Sequence, residues 1–134
     1  MPNLPTEVVP YLCVDGGAAA LAFYREAFGA VEVARMADDN DVIMHSEFTI
    51  GGARFFLSDE FAALNVLSAP RLGGWSVSLS MEVDDVEVLV PRLVNRGAQV
   101  ERDIADGPHE GYRHAWVIDP FGQRWHLHSK TDTD

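Results

Sequence analysis

The chain has a single cysteine, Cys13, so no disulfide can form within it. Positive charge is also scarce. Ten Lys and Arg stand against 21 Asp and Glu, a formal net charge of −11. Affinity for nucleic acid comes largely from cations that neutralise phosphates, and so acidic a chain has no basic stripe to supply them. DNA and RNA are therefore excluded as main partners. No apolar run approaches the ~18–20 residues that cross a bilayer, which excludes a membrane-spanning helix. The opening Met-Pro-Asn-Leu-Pro-Thr-Glu lacks the positive region and apolar stretch of a secretory signal, so a cytoplasmic location is expected. In such a reducing compartment Cys13, within the apolar run Val8–Val14, reads as a buried, unreactive thiol.

What is present is a repeat. Val14-Asp15 opens a helix-like stretch that closes at Gly29-Ala30, and Val83-Asp84 opens another that closes at Gly97-Ala98. Each follows an apolar segment and precedes three more, so the chain reads as two βαβββ modules, residues 8–58 and 75–128, within one domain, 1–134. In the first, Val8–Val14 predicts a strand and Asp15 a helix cap. Leu21, Tyr24 and Phe28 fall on one helical face, and Gly29 supplies the positive φ of a helix end. Strands are expected near 30–37, 42–50 and 53–58, the last two joined by the hairpin signal Gly51-Gly52.

In the second module, Trp75–Val83 predicts a strand, and Asp84 or Asp85 caps a helix that buries Val86, Leu89, Val90 and Leu93. Strands follow near 98–104, 113–118 and 124–128. Pro91 lies inside the helix, where it removes one backbone hydrogen bond and predicts a kink. Asp119-Pro120-Phe121-Gly122 has the residues of a type I turn, with Asp119 structural. Residues 59–74, with Ala-Pro and Gly-Gly, read as a linker. Thr131–Asp134 reads as a frayed polar tail.

Strand alternation assigns faces. In 75–83, Ser76, Ser78 and Ser80 oppose Val77, Leu79 and Met81. In 124–128, Arg124, His126 and His128 oppose Trp125 and Leu127. In 42–50, Phe48 and Ile50 belong to the core, which leaves His45, Glu47 and Thr49 together. If one face of each module is covered by its helix, the sheets curl into an open cup lined by His45, Glu47, Ser78, His126 and His128. A concave surface with a few polar groups is where a small molecule binds. His114 and Arg113 are placed at its rim, and His109, in a Gly-Pro-rich loop, is expected to be exposed.

Several segments carry a family likeness: Pro10-Tyr11-Leu12, Phe23-Tyr24-Arg25-Glu26-Ala27-Phe28-Gly29-Ala30, Ile43-Met44-His45-Ser46-Glu47, Gly51-Gly52, Leu57-Ser58-Asp59-Glu60, Gly73-Gly74, Val83-Asp84-Asp85 and Asp119-Pro120-Phe121-Gly122 with Arg124-Trp125. With them the chain resembles the vicinal oxygen chelate superfamily (glyoxalase, bleomycin resistance and dioxygenase proteins), and within it the PhnB-like branch. The resemblance implies an α+β fold of two βαβββ modules forming an open, cup-like mixed sheet. It also implies a homodimer, for which the linker and the outer strand edges leave room.

Enzymes of the superfamily bind a divalent metal through one ligand on the first and last strands of each module. Those positions fall near Val9, Leu57, Ser78 and His126 here, and only His126 can ligate. No metal cofactor is therefore expected. The alternative is an off-pattern site from His45, Glu47, His126 and His128. The reading is a metal-free protein that binds or sequesters an antibiotic or small metabolite through Tyr11, His45, Glu47, Ser78, Arg113, His126 and His128. Its rivals are an enzyme of the same superfamily (lyase, isomerase, dioxygenase or transferase) and an interaction module without a ligand. The enzyme would use a divalent metal or an acid–base pair in which Glu47 orients His45.

Overall fold

The computed structural model describes residues 2–131, so the tail expectation lies, beyond Thr131, outside the described residues. Contacts divide the chain into two compact units, Met1–Ser68 and Ala69–Asp134. Each holds a four-stranded mixed sheet, open at both edges, and the two sheets share one strand order.

The first unit runs β1 (Tyr11–Val14), α1 (Gly17–Phe28), β2 (Val31–Ala37), β3 (Ile43–Ile50) and β4 (Ala53–Asp59). Its sheet order is β1-β4-β3-β2, with β1 parallel to β4 and the other pairs antiparallel. Helix α1 buries Ala20, Leu21, Phe23 and Tyr24, and Leu12, Val14, Phe48 and Leu57 complete the core. Each large apolar side chain so buried is worth about 1.5–3 kcal/mol. Tyr24 stacks on Phe48 at 5.6 Å between ring centroids, and Phe48 on Phe55 at 5.1 Å. Gly51 and Gly52 both take positive φ, 54° and 85°, as a two-residue hairpin turn of the twisted kind requires.

Two expectations need correction in this unit. The first strand starts at Tyr11, three residues later than Val8, and Val8 itself is largely exposed. Asp15 does not cap α1. The residue preceding the helix is Gly16, in the left-handed region, and no local side chain caps the helix. Asp59, at the end of β4, supplies the acceptor instead. Its Oδ1 receives the N–H groups of Gly16 and Gly17 at 2.9 and 2.8 Å, and its Oδ2 receives that of Ile43 at 2.7 Å. One carboxylate thus joins the ends of three elements.

After β4 the chain forms a bridge between Phe61 and Val66 around a 3-10 turn, Ala62–Leu64. The second unit opens with α2 (Ala69–Leu72) and continues through β5 (Leu79–Glu82), α3 (Val86–Asn95), β6 (Gln99–Asp106), β7 (Tyr112–Ile118) and β8 (Arg124–Lys130). The sheet order is β5-β8-β7-β6, with β5 parallel to β8. Here the cap is partly local: the Asp85 carboxylate accepts from Glu87 N–H, while Ser129 on the last strand accepts from Val86 N–H. Helix α3 runs through Pro91 without a break and buries Val86, Val90 and Leu93. Asp119 closes its turn as expected, accepting from Phe121 and Gln123 N–H, and it also accepts from the buried Trp125 indole at 2.9 Å. Strand β5 is shorter than the run Trp75–Val83 suggests. Residues 75–78 precede it, and Val77 is exposed rather than packed under the helix.

Candidate functional site

Each unit has one sheet face under its helix and one open face. On the open face of the first unit, Tyr11 from β1, His45 from β3 and Phe56 from β4 form a cluster. The Tyr11 hydroxyl lies 2.7 Å from His45 Nδ1, and the His45 and Phe56 ring centroids are 4.9 Å apart. Glu47 does not orient His45. It pairs with Arg54, whose Nε is 3.1 Å away, and Arg54 also pairs with Glu7 and lies over the Phe56 ring. The hydrogen bonds from Arg54 hold the Glu47 carboxyl below its usual range. The expected His–Glu pair is therefore replaced by a His–Tyr pair. Cys13 is half-buried, and burial, followed by the charges of Glu60 and Asp59, pushes its thiol up to about 11. It stays protonated and unreactive.

The open face of the second unit gathers His114, His126 and His128 with Trp116 and Tyr112. Ser80 and His126 are direct partners in the parallel β5–β8 ladder, and Ser80 Oγ sits 2.9 Å from His126 Nδ1. The other ring nitrogen, Nε2, lies 2.8 Å from His114 Nδ1 on β7. Trp116 tilts against the His126 ring at 4.7 Å, and His128 stacks on it at 5.4 Å. Burial lowers the pKa of His126, and the neighbouring His114 and His128 lower it further. The imidazole is thus held neutral. Beside it, Ser80, Pro108, His109, Tyr112, His126 and His128 line a cavity of about 210 Å³.

Further along the same face, Arg124 reaches the rings of both Trp75 and Trp116, with its guanidinium carbon 4.6 and 5.5 Å from the centroids. Its Nε donates to Ser78 Oγ at 2.8 Å, which places Ser78 before the strand as an acceptor for Arg124. Arg113 is a correction. It lies next to His114 on β7, so alternation sends the two side chains to opposite faces, and Arg113 pairs with Glu87 of α3 and with Asp106. Only His114 belongs to the open face. His109 is exposed, as expected, and also lines the cavity.

The strand register decides which of the expected metal positions reach the open face. Leu57 is fully buried under the helix, and the open-face pairs on the first and last strands are Tyr11 with Phe56 and Ser80 with His126. A phenol, a phenyl ring, a hydroxyl and one imidazole do not make a divalent-cation shell. Both nitrogens of that imidazole already have protein partners. Of the off-pattern set, Glu47 is held by Arg54. Among the described residues, no group of three or more His, Cys, Asp or Glu is placed to hold a metal. No described helix is long and apolar enough to cross a membrane.

Tyr112 and Trp116 were not singled out by sequence reasoning as site residues, and His114 was placed only at the rim. The signal was present in the alternation of β7, where 112, 114 and 116 share a face; the register that sets them against β8 was not.

A family model described as the glyoxalase/bleomycin resistance protein/dioxygenase superfamily matches residues 7–127. An uncharacterised protein of Mycobacterium bovis is 33% identical over 128 residues, covering 93% of this chain and 84% of its own length. Among solved structures, a PhnB protein from Bacillus cereus superposes with a TM-score of 0.72 at 19% identity, over 92% of this chain and 99% of the other. A fosfomycin resistance protein from Listeria monocytogenes superposes with a TM-score of 0.70 at 14% identity, over 96% of each chain. These two likenesses are of fold.

Proposed function

Since the chain belongs to the glyoxalase/bleomycin resistance/dioxygenase superfamily, we propose that it binds a small antibiotic or metabolite without a resident metal, using the open face of its second unit. The observation that carries this reading is the cavity of about 210 Å³ between Ser80, Tyr112, His126 and His128. It combines aromatic walls with hydroxyl and imidazole groups, the mixture that holds and orients small organic ligands. The donors that a metal enzyme of this fold would need are replaced by groups that bind organic molecules well. The Tyr11–His45–Phe56 cluster of the first unit has the same character, an aromatic surface carrying one polar pair.

The test is a thermal-shift and calorimetric survey of the apoprotein against fosfomycin, bleomycin and a panel of small planar aromatic acids, amides and phenols. At least one class is expected to bind, and Tyr112→Ala or His128→Ala is expected to weaken it by roughly tenfold, the loss of about 1.4 kcal/mol of contact. Binding that depends on added divalent metal, or that is untouched by both substitutions, would overturn the reading.

A further inference from the structure

We propose that Ser80 is an acyl-accepting nucleophile, activated by His126 and positioned through His114, and that the cavity beside it admits a small carboxylic ester. The inference rests on the proposed binding cavity and goes beyond it, from binding to turnover. Three side chains from three strands form one hydrogen-bonded line: Ser80 Oγ to His126 Nδ1 at 2.9 Å, and His126 Nε2 to His114 Nδ1 at 2.8 Å. A nucleophile, a base within hydrogen-bond reach and a third group that fixes the base are the geometric requirements for hydroxyl activation.

The tautomers are constrained. When the Ser80 hydroxyl donates to His126 Nδ1, the ring proton of His126 sits on Nε2 and donates to His114 Nδ1. Exposure follows the same division of labour. Ser80 is exposed and open to a ligand, whereas His126 is buried, with 9% of its surface exposed. Ladder pairing fixes the Ser80–His126 distance, and Trp116 and His128 hold the imidazole plane. Ser80 and His126 both line the cavity, so a bound carbonyl would meet the hydroxyl directly.

In the step itself, Oγ forms a bond to the ester carbonyl carbon while its proton passes to His126 Nδ1. Tyr112 and His128, which both line the cavity, carry the O–H and N–H groups that would serve the oxyanion. Collapse breaks the bond to the leaving alcohol, which takes the proton from His126. Water then repeats the sequence on the acyl-serine, releasing the carboxylic acid and restoring the hydroxyl. Nothing is oxidised or reduced, and water is the only co-reactant.

His114 is a positioning residue. The charged and titratable groups around His126 are His114 on β7, His128 on the same strand, His109 and Tyr112 across the cavity, and Glu82, whose carboxylate is 4.0 Å from His128 Nδ1. Burial, then His114 and His128, lower the basicity of His126, so acylation should persist below the ordinary imidazole pKa of ~6.5.

The experiment treats the whole protein with p-nitrophenyl acetate and, separately, with an alkyl fluorophosphonate, followed by intact-mass and peptide mass spectrometry. A single adduct on Ser80 is expected. Ser80→Ala should abolish it with an unchanged circular dichroism spectrum. His126→Gln should slow acylation by about a hundredfold, the scale of a lost general base. His114→Gln removes one of the two side chains that, after burial, lower the basicity of His126, so the acid limb of the pH–rate profile should move to higher pH, a change that a purely structural role would not produce. Absence of a Ser80 adduct in folded wild type, or equal acylation rates in wild type and His126→Gln, would overturn the proposal. The two readings fail separately. Ligand binding without acylation leaves the binding function standing, and acylation without binding by the surveyed compounds does the reverse.

Discussion

Asp59 Oδ1 accepts the N–H of Gly17 at 2.8 Å across 42 residues of chain, so the first helix is capped from the last strand of its unit. The same carboxylate also takes the N–H groups of Gly16 and Ile43. Hydrogen bonds to a charged acceptor are worth about 1.5–3 kcal/mol, and leaving part-buried amides unpaired adds to their loss. Asp59→Ala is therefore expected to destabilise the protein by about 3 kcal/mol, whereas Asp15→Ala should stay within ~0.5 kcal/mol, as for an uninvolved surface residue. Urea unfolding of both variants decides it; equal costs would reject the remote cap.

Gly17 sharpens that expectation. A Cβ there would lie 2.8 Å from Ile43 Cγ1 and 2.9 Å from Asp59 Oδ2. Gly17→Ala, ordinarily favourable within a helix by up to ~1 kcal/mol, should here destabilise the fold. A raised melting temperature in that variant would show that the cap can move aside.

Some of this was legible in the chain. Alternation alone separated Trp125 and Leu127 from His126 and His128, and they do lie on opposite faces, because a strand has a period of two. Gly51-Gly52 and Gly29 announced their turns because each takes a positive φ. Asp59 was silent as a cap, since its partners are remote and no local pattern records them. The placing of Leu57 on the open face failed for a related reason. The ladder pairs Tyr11 with Phe56 and Ser80 with His126, and a shift of one residue carries every side chain to the other face. The His126–His114 bond needs the β7–β8 register, which neither strand contains by itself.

The metal expectation remains to be measured. Tyr11, Phe56, Ser80 and His126 offer too few donors, so protein dialysed after purification should hold far less than one equivalent of zinc, nickel, manganese or iron. Elemental analysis with native mass spectrometry reads this directly. A full equivalent that survives dialysis would restore the metal-dependent chemistries of the superfamily.

Association is expected as well. Strand β2 is a sheet edge, exposed along all seven residues, and it presents Val31, Val33 and Met36 at 60, 57 and 60% exposure. Unprotected edges recruit further strands, and two-fold dimers are the commonest homo-oligomers. We propose a homodimer with a mass near twice 14.8 kDa. The charge of −11 per chain opposes it through repulsion that salt screens, so the dimer should strengthen between low and physiological salt. Light scattering over a tenfold dilution series tests this; a constant monomer mass at both salt concentrations would reject it.

The last expectation concerns acid. His126 has its pKa lowered in the folded state, first by burial and then by His114 and His128. An unfolded chain releases it to the ordinary value of ~6.5, so below that pH the unfolded state binds the proton more readily than the folded one. The sign follows: the stability contributed by a neutral His126 is complete above about 6.5 and is lost as pH falls from there through the folded-state value. Urea midpoints should therefore decline on acidification through this window, beginning before the acids that titrate near ~4 contribute. His126→Gln keeps a polar side chain but does not titrate, and should flatten the decline. His114→Gln removes one of the charges that lower His126, and should shrink the decline without abolishing it, because burial, the larger cause, remains. A midpoint that is constant in wild type from pH 7.5 to about 5, or a decline identical in all three proteins, would mean that His126 does not carry this dependence.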